Sequence, residues 1–344
     1  MYARRALIRA LLMGGAAAGL AGCAGVGSEA GSAGSAAAGS ATASAASGSA
    51  ATGAAATEAA VTFTDDLGYE VSVASAERVV ACMGSFANTW ELAGGTLVGA
   101  TDDAWENYDI ASDAASVGRS TALSLEEILA CDPDFVVMTA KNSSKHETGV
   151  SQDELKAALD ESDIACAFFS VTGFDDYLRM LDIFCQITGR DDLFEENGTD
   201  VQARIQEVVA AYSVAERDPV PTALVMSASS KGVSAQDAST MTGLMLADLG
   251  ARNVVEEYDS LLSDFSMEAV LEIDPDYLFV LAAGSDEAAA QQNYEQSVEA
   301  DPAWSQLTAV HEGRSTVLSQ DLFLQKPNNR WDEAYLVLAE ALAR

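Results

Sequence analysis

Apolar residues along this chain fall into two kinds of pattern, separated by one stretch that has almost none. Short, nearly unbroken apolar runs lie within 78–82, 97–100, 135–138, 165–170, 222–226, 277–281 and 315–318. They have strand length, and a run without alternation suits a strand covered on both faces, as in a parallel sheet. Elsewhere the spacing is helical. Phe174, Tyr177, Leu178, Leu181, Phe184 and Cys185 trace one face, and Val201, Ile205, Val208, Val209 and Tyr212 trace another. Residues 61–73 read as a hairpin turning at Asp66-Leu67-Gly68. Further helices are predicted from Asn88, over 241–250 with Gly250 as C-cap, over 303–309, and from Asn329 to the end. The alternation of strand and helix predicts an α/β fold.

One unit of this pattern is written twice. Ser-Leu-Glu-Glu-Ile-Leu-Ala-Cys-Asp-Pro-Asp-Phe-Val-Val begins at Ser124, and Ser-Met-Glu-Ala-Val-Leu-Glu-Ile-Asp-Pro-Asp-Tyr-Leu-Phe begins at Ser266, aligning without a gap. Each copy predicts an N-capped short helix, a proline stop at Pro133 or Pro275, and a buried strand. The first copy carries a capping box, Ser124 with Glu127; the second has Ala269 there and lacks it. Both keep the other acid, Glu126 and Glu268. A first-turn acid suits the helix dipole, so either that or a function accounts for the pair. The repeat predicts two similar α/β lobes, with a ligand cleft at their junction. The lobes are assigned to 61–190 and 219–344, joined by a long interdomain helix over 191–213.

The N-terminus changes the picture of where the chain works. Arg4, Arg5 and Arg9 precede a short apolar stretch ending in Leu20-Ala21-Gly22-Cys23. This predicts a signal peptide over 1–22, too short to span a bilayer. Leu-Ala-Gly-Cys resembles a lipoprotein cleavage box, with Cys23 lipidated and anchored to the membrane by its acyl chains. The arginine pair also resembles a twin-arginine export signal, and the export route stays open. Residues 23–60, nearly all Ala, Gly, Ser and Thr after the cysteine, are expected to be a disordered tether spanning about 30–35 Å.

The formal charge is −35, which disfavours nucleic acid as a partner because phosphates need a basic surface. Cys82, Cys131, Cys166 and Cys185 sit at core-facing positions without a CxxC pair and read as buried free thiols. Enzyme motifs are missing: there is no G-x-S-x-G or S-x-x-K, and H-E-x-x-H fails at Val150 and Ser315. An extracellular hydrolase is the alternative from another class, as is a sensor with no permease.

The order and spacing of several segments resemble the solute-binding lipoproteins of importers for ferric siderophores, haem and cobalamin. The segments are Asp66-Leu67-Gly68-Tyr69-Glu70-Val71 with Arg78-Val79-Val80; Val117-Gly118, Leu125-Glu126 and Pro133-Asp134; and Trp304-Ser305-Gln306-Leu307-Thr308-Ala309-Val310 with Gly313-Arg314. The resemblance covers 61–344. It implies two lobes on a rather rigid helix and a monomer on the outer face of the cytoplasmic membrane. The implied partners are an ABC permease and its ATPase. It also implies that Glu126 and Glu268 dock the permease; with the enzyme motifs missing, neither an enzymatic activity nor a cofactor is expected.

Ligands of open α/β sheets sit beyond the carboxyl ends of the strands. The loops there are 83–86, 101–121, 139–150, 227–240, 282–293 and 319–330. Their candidate ligand contacts are Met83, Phe86, Trp105, Tyr108, Arg119, Lys141, His146, Lys231, Phe323, Lys326 and Arg330, with Trp331 beside them. Cations in so acidic a chain suit an anionic ferric siderophore. Haem would want an axial ligand such as His146 or Tyr108. Cobalamin stays open through the aromatics. Two histidines, the other being His311 before a strand, are too few for a bare transition-metal site.

Overall fold

The buried runs form two separate sheets in the computed structural model, which describes residues 60–140, 151–284 and 286–344. The predicted signal, Cys23 and nearly all of the tether lie outside the described residues, as do Lys141 and His146. The hairpin pairs β1 (Val61–Thr64) antiparallel with β2 (Glu70–Val73), and Gly68 takes φ +89° in its turn. The first lobe then supplies β3 (Val79–Ala81), β4 (Leu97–Ala100) and β5 (Ala115–Ser116). A small ladder of β6 (Gly118–Arg119) and β7 (Ala122–Leu123) follows, then β8 (Phe135–Thr139) and β9 (Ala165–Phe169). The sheet order is β5-β4-β3-β8-β9, parallel throughout.

The second lobe contains β10 (Thr222–Ser229), β11 (Gly232–Gln236), β12 (Arg252–Asn253), β13 (Tyr277–Ala282) and β14 (Ser315–Leu318). Its order is β11-β10-β13-β14, with β12 also beside β10. Only β11, which hairpins back from β10, runs antiparallel. Among the described residues no helix is long and apolar enough to cross a membrane.

Strand alternation sorts the interior into three cores. Val79, Ala81, Phe135, Val137, Ala167 and Phe169 face one way from the first sheet; Val80, Cys82, Val136, Met138, Cys166 and Phe168 face the other, into a local core. In the second sheet Leu224, Met226, Leu278 and Val280 likewise face a local core, closed by Trp304. The remaining faces of the two sheets share one core. Ala223, Val225, Tyr277 and Phe279 belong to the same cluster as Val79 and Phe135, bridged by Tyr177, Phe184, Val201, Ile205, Trp331 and Leu338. The two lobes therefore have a common hydrophobic interior.

The repeated Asp-Pro-Asp triplet has a structural role in each lobe. Asp132 and Asp274, each before the proline, both take φ +49° and turn the chain out of the helix. The second aspartate reaches the start of the neighbouring parallel strand, β3 in the first lobe and β10 in the second. Asp134 accepts from Ser75 Oγ at 2.7 Å and from the backbone N–H groups of Glu77 and Arg78 at 3.0 Å. Asp276 accepts from the N–H and the hydroxyl of Thr222, both at 2.8 Å. Carboxylates satisfy otherwise open backbone donors, and bonds to charged groups are the stronger kind.

Several expectations need correction. Ser124 accepts from Glu127 N–H, but the return half of the capping box is not made, because Ser124 N–H already donates to the Val117 carbonyl. The helix expected from Asn88 begins at Gly84. Its first N–H is taken by the Asp103 carboxylate at 2.9 Å, a cap no local pattern could reveal. Gly84 is required there: a Cβ would lie 2.6 Å from the Asp103 carbonyl carbon. The helix expected over 303–309 is two short pieces, Trp304–Gln306 and Thr308–His311, broken by extended Leu307. The supposed loops contain helices Asp103–Asn107, Glu287–Tyr294 and Gln320–Phe323. The helical stretch from Asp191 to Tyr212 is interrupted by a π-helical turn at Glu195–Thr199.

All four described cysteines are buried and free. Burial pushes the Cys82 thiol up to about 12 and Cys166 up to about 11, so neither is a nucleophile at neutral pH.

Candidate functional site

The segments that follow the parallel strands of one lobe meet those of the other. Met83–Ser85 follows β3, Thr101–Asp103 follows β4, and 319–330 follows β14. Tyr108, just beyond the helix Asp103–Asn107, accepts at its phenol oxygen from Lys326 N–H at 3.1 Å and donates to the Lys326 carbonyl at 3.2 Å. Asn328 donates its amide to the Ser85 carbonyl at 3.0 Å and to Asn88 Oδ1 at 2.7 Å. Asn329 donates to Asn197 Oδ1 at 3.1 Å. These bonds cross the junction between the lobes and define one end of the cleft.

The predicted ligand contacts separate by exposure. Phe86, Phe323 and Trp331 are corrected to core residues. Phe86 packs edge-on to Phe169, and Trp331, fully buried, packs edge-on to Phe174. Buried to this degree, they present no surface to a ligand. The apolar periodicity of their helices accounts for them. Met83 is half-buried against the shared core. Tyr108 is held by its backbone bonds, and burial raises its phenol far above the ordinary range. Lys326 is half-buried, its backbone engaged by Tyr108.

The exposed candidates are Trp105, Arg119, Lys231 and Arg330. Arg119 lies beside the β4 end, since Asp102 N–H donates to the Gly118 carbonyl. Its guanidinium is 68% exposed, and its one ion pair among the described residues is with Glu106, at 3.9 Å, next in sequence to Trp105. Lys231 sits in the turn between β10 and β11 and makes no ion pair among the described residues. Arg330 is already engaged by Glu333 at 2.8 Å and Asp321 at 3.3 Å. His311 is exposed at the end of β14 away from these loops.

Glu126 and Glu268 are both exposed in the first turns of equivalent helices. Glu268 is held below the usual carboxylate range by its own backbone N–H and by the Ser266 hydroxyl, which donates to it at 2.9 Å. It is therefore ionised and oriented at neutral pH.

Sequence reasoning missed the buried polar residues of the junction: Ser85, Thr101, Asn197 and Asn328. Their types carry no ligand signal, and their partners are far away in sequence. A groove of about 340 Å³ between the helices Asp200–Tyr212 and Trp331–Leu342 is lined by Arg204, Glu207, Tyr212, Asp332 and Leu336 among others. None of the predicted contacts lines it.

The model of the periplasmic binding protein family matches residues 79–322, which includes both sheets. No protein of curated function matches. Among solved structures, a TroA-like periplasmic binding protein from Xylanimonas cellulosilytica superposes with TM-score 0.63 at 21% identity, covering 83% of this chain and 99% of its own. S. aureus IsdE complexed with haem gives 0.62 at 15% identity, covering 78% and 99%. Staphylococcus aureus SirA complexed with staphyloferrin B gives 0.60 at 17% identity, covering 82% and 97%. A family match through both lobes, on a fold shared with these proteins over nearly their whole length, makes this chain a member of the periplasmic binding protein family.

Proposed function

We propose that this protein is the extracytoplasmic solute-binding component of an ABC importer, capturing a ferric siderophore between its lobes and delivering it to a permease and its ATPase. The observation that carries the ligand class is the loosely held, 68% exposed Arg119 guanidinium, whose partner Glu106 follows the exposed Trp105 in sequence, with the exposed Lys231 in the other lobe making no ion pair among the described residues. In a chain of formal charge −35 these are attractive to an anionic chelate. Guanidinium bonds to ligand oxygens are charge-assisted and strengthen where water is excluded. Both siderophore and haem complexes occur among the structural neighbours. The haem reading is weakened by Tyr108, whose oxygen is committed to the Lys326 backbone.

The deciding experiment uses protein purified from its own host, by native mass spectrometry and absorption spectroscopy, followed by titration with ferric siderophores. The expected result is a ferric chelate with charge-transfer absorption. Arg119→Ala is expected to weaken it by ten- to a hundredfold, about 1.5–3 kcal/mol. A Soret band with no binding of ferric siderophores would overturn the ligand assignment and leave the fold untouched.

We infer further that Cys23 is lipidated and the tether holds the binding unit off the membrane. The Leu-Ala-Gly-Cys box and the composition that follows it support this. Cys23→Ala is expected to move the protein from the detergent phase to the aqueous phase and to remove the acyl mass from the N-terminus. Unchanged partitioning would refute the anchor. Glu126 and Glu268 are the proposed docking acids for the permease.

A further inference from the structure

We propose that this chain crosses the membrane already folded, through the twin-arginine export route, with Cys82, Cys131, Cys166 and Cys185 closed inside the fold. Two independent observations meet on this reading, one in the leader and one in the core. It rests on the protein working outside the cytoplasm and on nothing about the ligand.

The leader reads Arg4-Arg5-Ala6-Leu7-Ile8-Arg9, an arginine pair followed one position later by two large apolar residues. The apolar stretch after it is weak for an ordinary leader. Gly14, Gly15 and Gly19 dilute it, and each disfavours helix relative to alanine. Recognition therefore falls on the arginines.

The core shows what an unfolded crossing would expose. All four cysteines are free and at most 8% exposed. Cys82 directly follows β3 and Cys166 lies in β9, on opposite sides of β8. Val80, Val136 and Cys166 are in register, so two strand spacings, about 9.5 Å, already separate Cys166 from Val80. Cys82 is farther along β3, out of reach of a disulfide, which needs Cα atoms within about 7 Å. Cys185 packs in the shared core, on the other face of the sheet from Cys82 and Cys166. Since the fold bridges none of them, any disulfide made by an unfolded chain is a wrong one, and surroundings outside the cytoplasm favour disulfides. Folding silences these thiols. Burial pushes Cys82 up to about 12 and Cys166 up to about 11, against about 8.5 for an open thiol. The thiolate is the attacking species, and at neutral pH folding lowers its amount about three hundred- to three thousandfold. A chain folded in a reducing cytoplasm keeps its thiols; a chain threaded unfolded presents all four at once.

The test uses the full chain in its host. Arg4→Lys with Arg5→Lys keeps the positive charge that an ordinary leader needs and removes the arginine pair. This variant is expected to lose the exported mature form, with precursor accumulating in the cytoplasm. That precursor is expected to be folded, its core thiols closed to a maleimide until urea is added. Arg9→Lys alone is expected to leave export unchanged. A double variant exported as fully as the parent would overturn the route. So would a precursor with reactive core thiols, or a mature parent protein carrying a disulfide among the four. A parent protein confined to the cytoplasm would overturn location and route together, whereas failure to bind a ferric siderophore touches neither.

Discussion

Replacing Glu126 and Glu268 together with alanine is expected to lower uptake of the ligand by at least about tenfold while its Kd changes by less than about threefold, roughly 0.6 kcal/mol. The two acids occupy the same place in the repeated unit, in the first turns of Leu125–Ala130 and Met267–Ile273. Their neighbours in that unit are explained by folding: Ser124 and Ser266 cap, the prolines stop the helices, and Asp134 and Asp276 clasp the strands. The glutamates are left over. Both are exposed, and among the described residues the Ser266 hydroxyl on Glu268 is the one side-chain bond that either makes. Each single replacement is expected to give a smaller loss, because two-point docking retains one contact. Uptake assays paired with equilibrium titration separate the outcomes. A comparable loss of affinity would put these residues in the ligand site or the fold instead.

Phe279→Ala is expected to destabilise the protein by about 3–5 kcal/mol, the range for deleting a large aromatic from a core. Phe279 is fully buried on β13, between β10 and β14, and faces the shared interior. The second expectation concerns cooperativity. Because the residues around it come from both sheets and from the helices between them, unfolding of the parent and the variant should each show one transition. Calorimetry decides this: two resolved transitions, with only one moved by the substitution, would mean that the lobes are energetically separate.

The parallel sheets and the repeat were legible because buried strands leave unbroken apolar runs, and both copies of the unit place theirs directly after a proline. β8 and β13 are where those runs fall. Helix starts were legible where the cap is local, as at Ser124 and Ser266, and illegible at Gly84, whose cap comes from Asp103. The hairpin partner β11 was missed because Gly232-Val-Ser-Ala-Gln236 is too polar to read as a strand; it runs along an edge of its sheet. For the site, loop position was legible and side-chain direction was not. Phe86 and Trp331 read as cleft aromatics by position, yet helical packing turns them inward. Asn328 and Ser85 meet only because two separate lobes close on each other, which no pattern within either segment encodes.

The π-helical turn at Glu195–Thr199 fixes the connector's length. Asn197 lies within it, buried, with its carbonyl accepting from the Tyr177 hydroxyl at 2.9 Å and its amide donating to the Leu92 carbonyl at 3.0 Å. Its amide oxygen accepts from Asn329. One side chain and one carbonyl thus tie together the first lobe, the connecting helix and the second lobe. A π-turn amounts to one residue more than a regular helix would hold. Deleting that residue would heal the helix yet rotate everything after it by about 100° relative to what precedes it. Val201 and Ile205 would swing off the core, and the second lobe would be presented at a new azimuth. The irregularity thus works as a phase-setting spacer: it sets the angle at which the two halves of the cleft face each other.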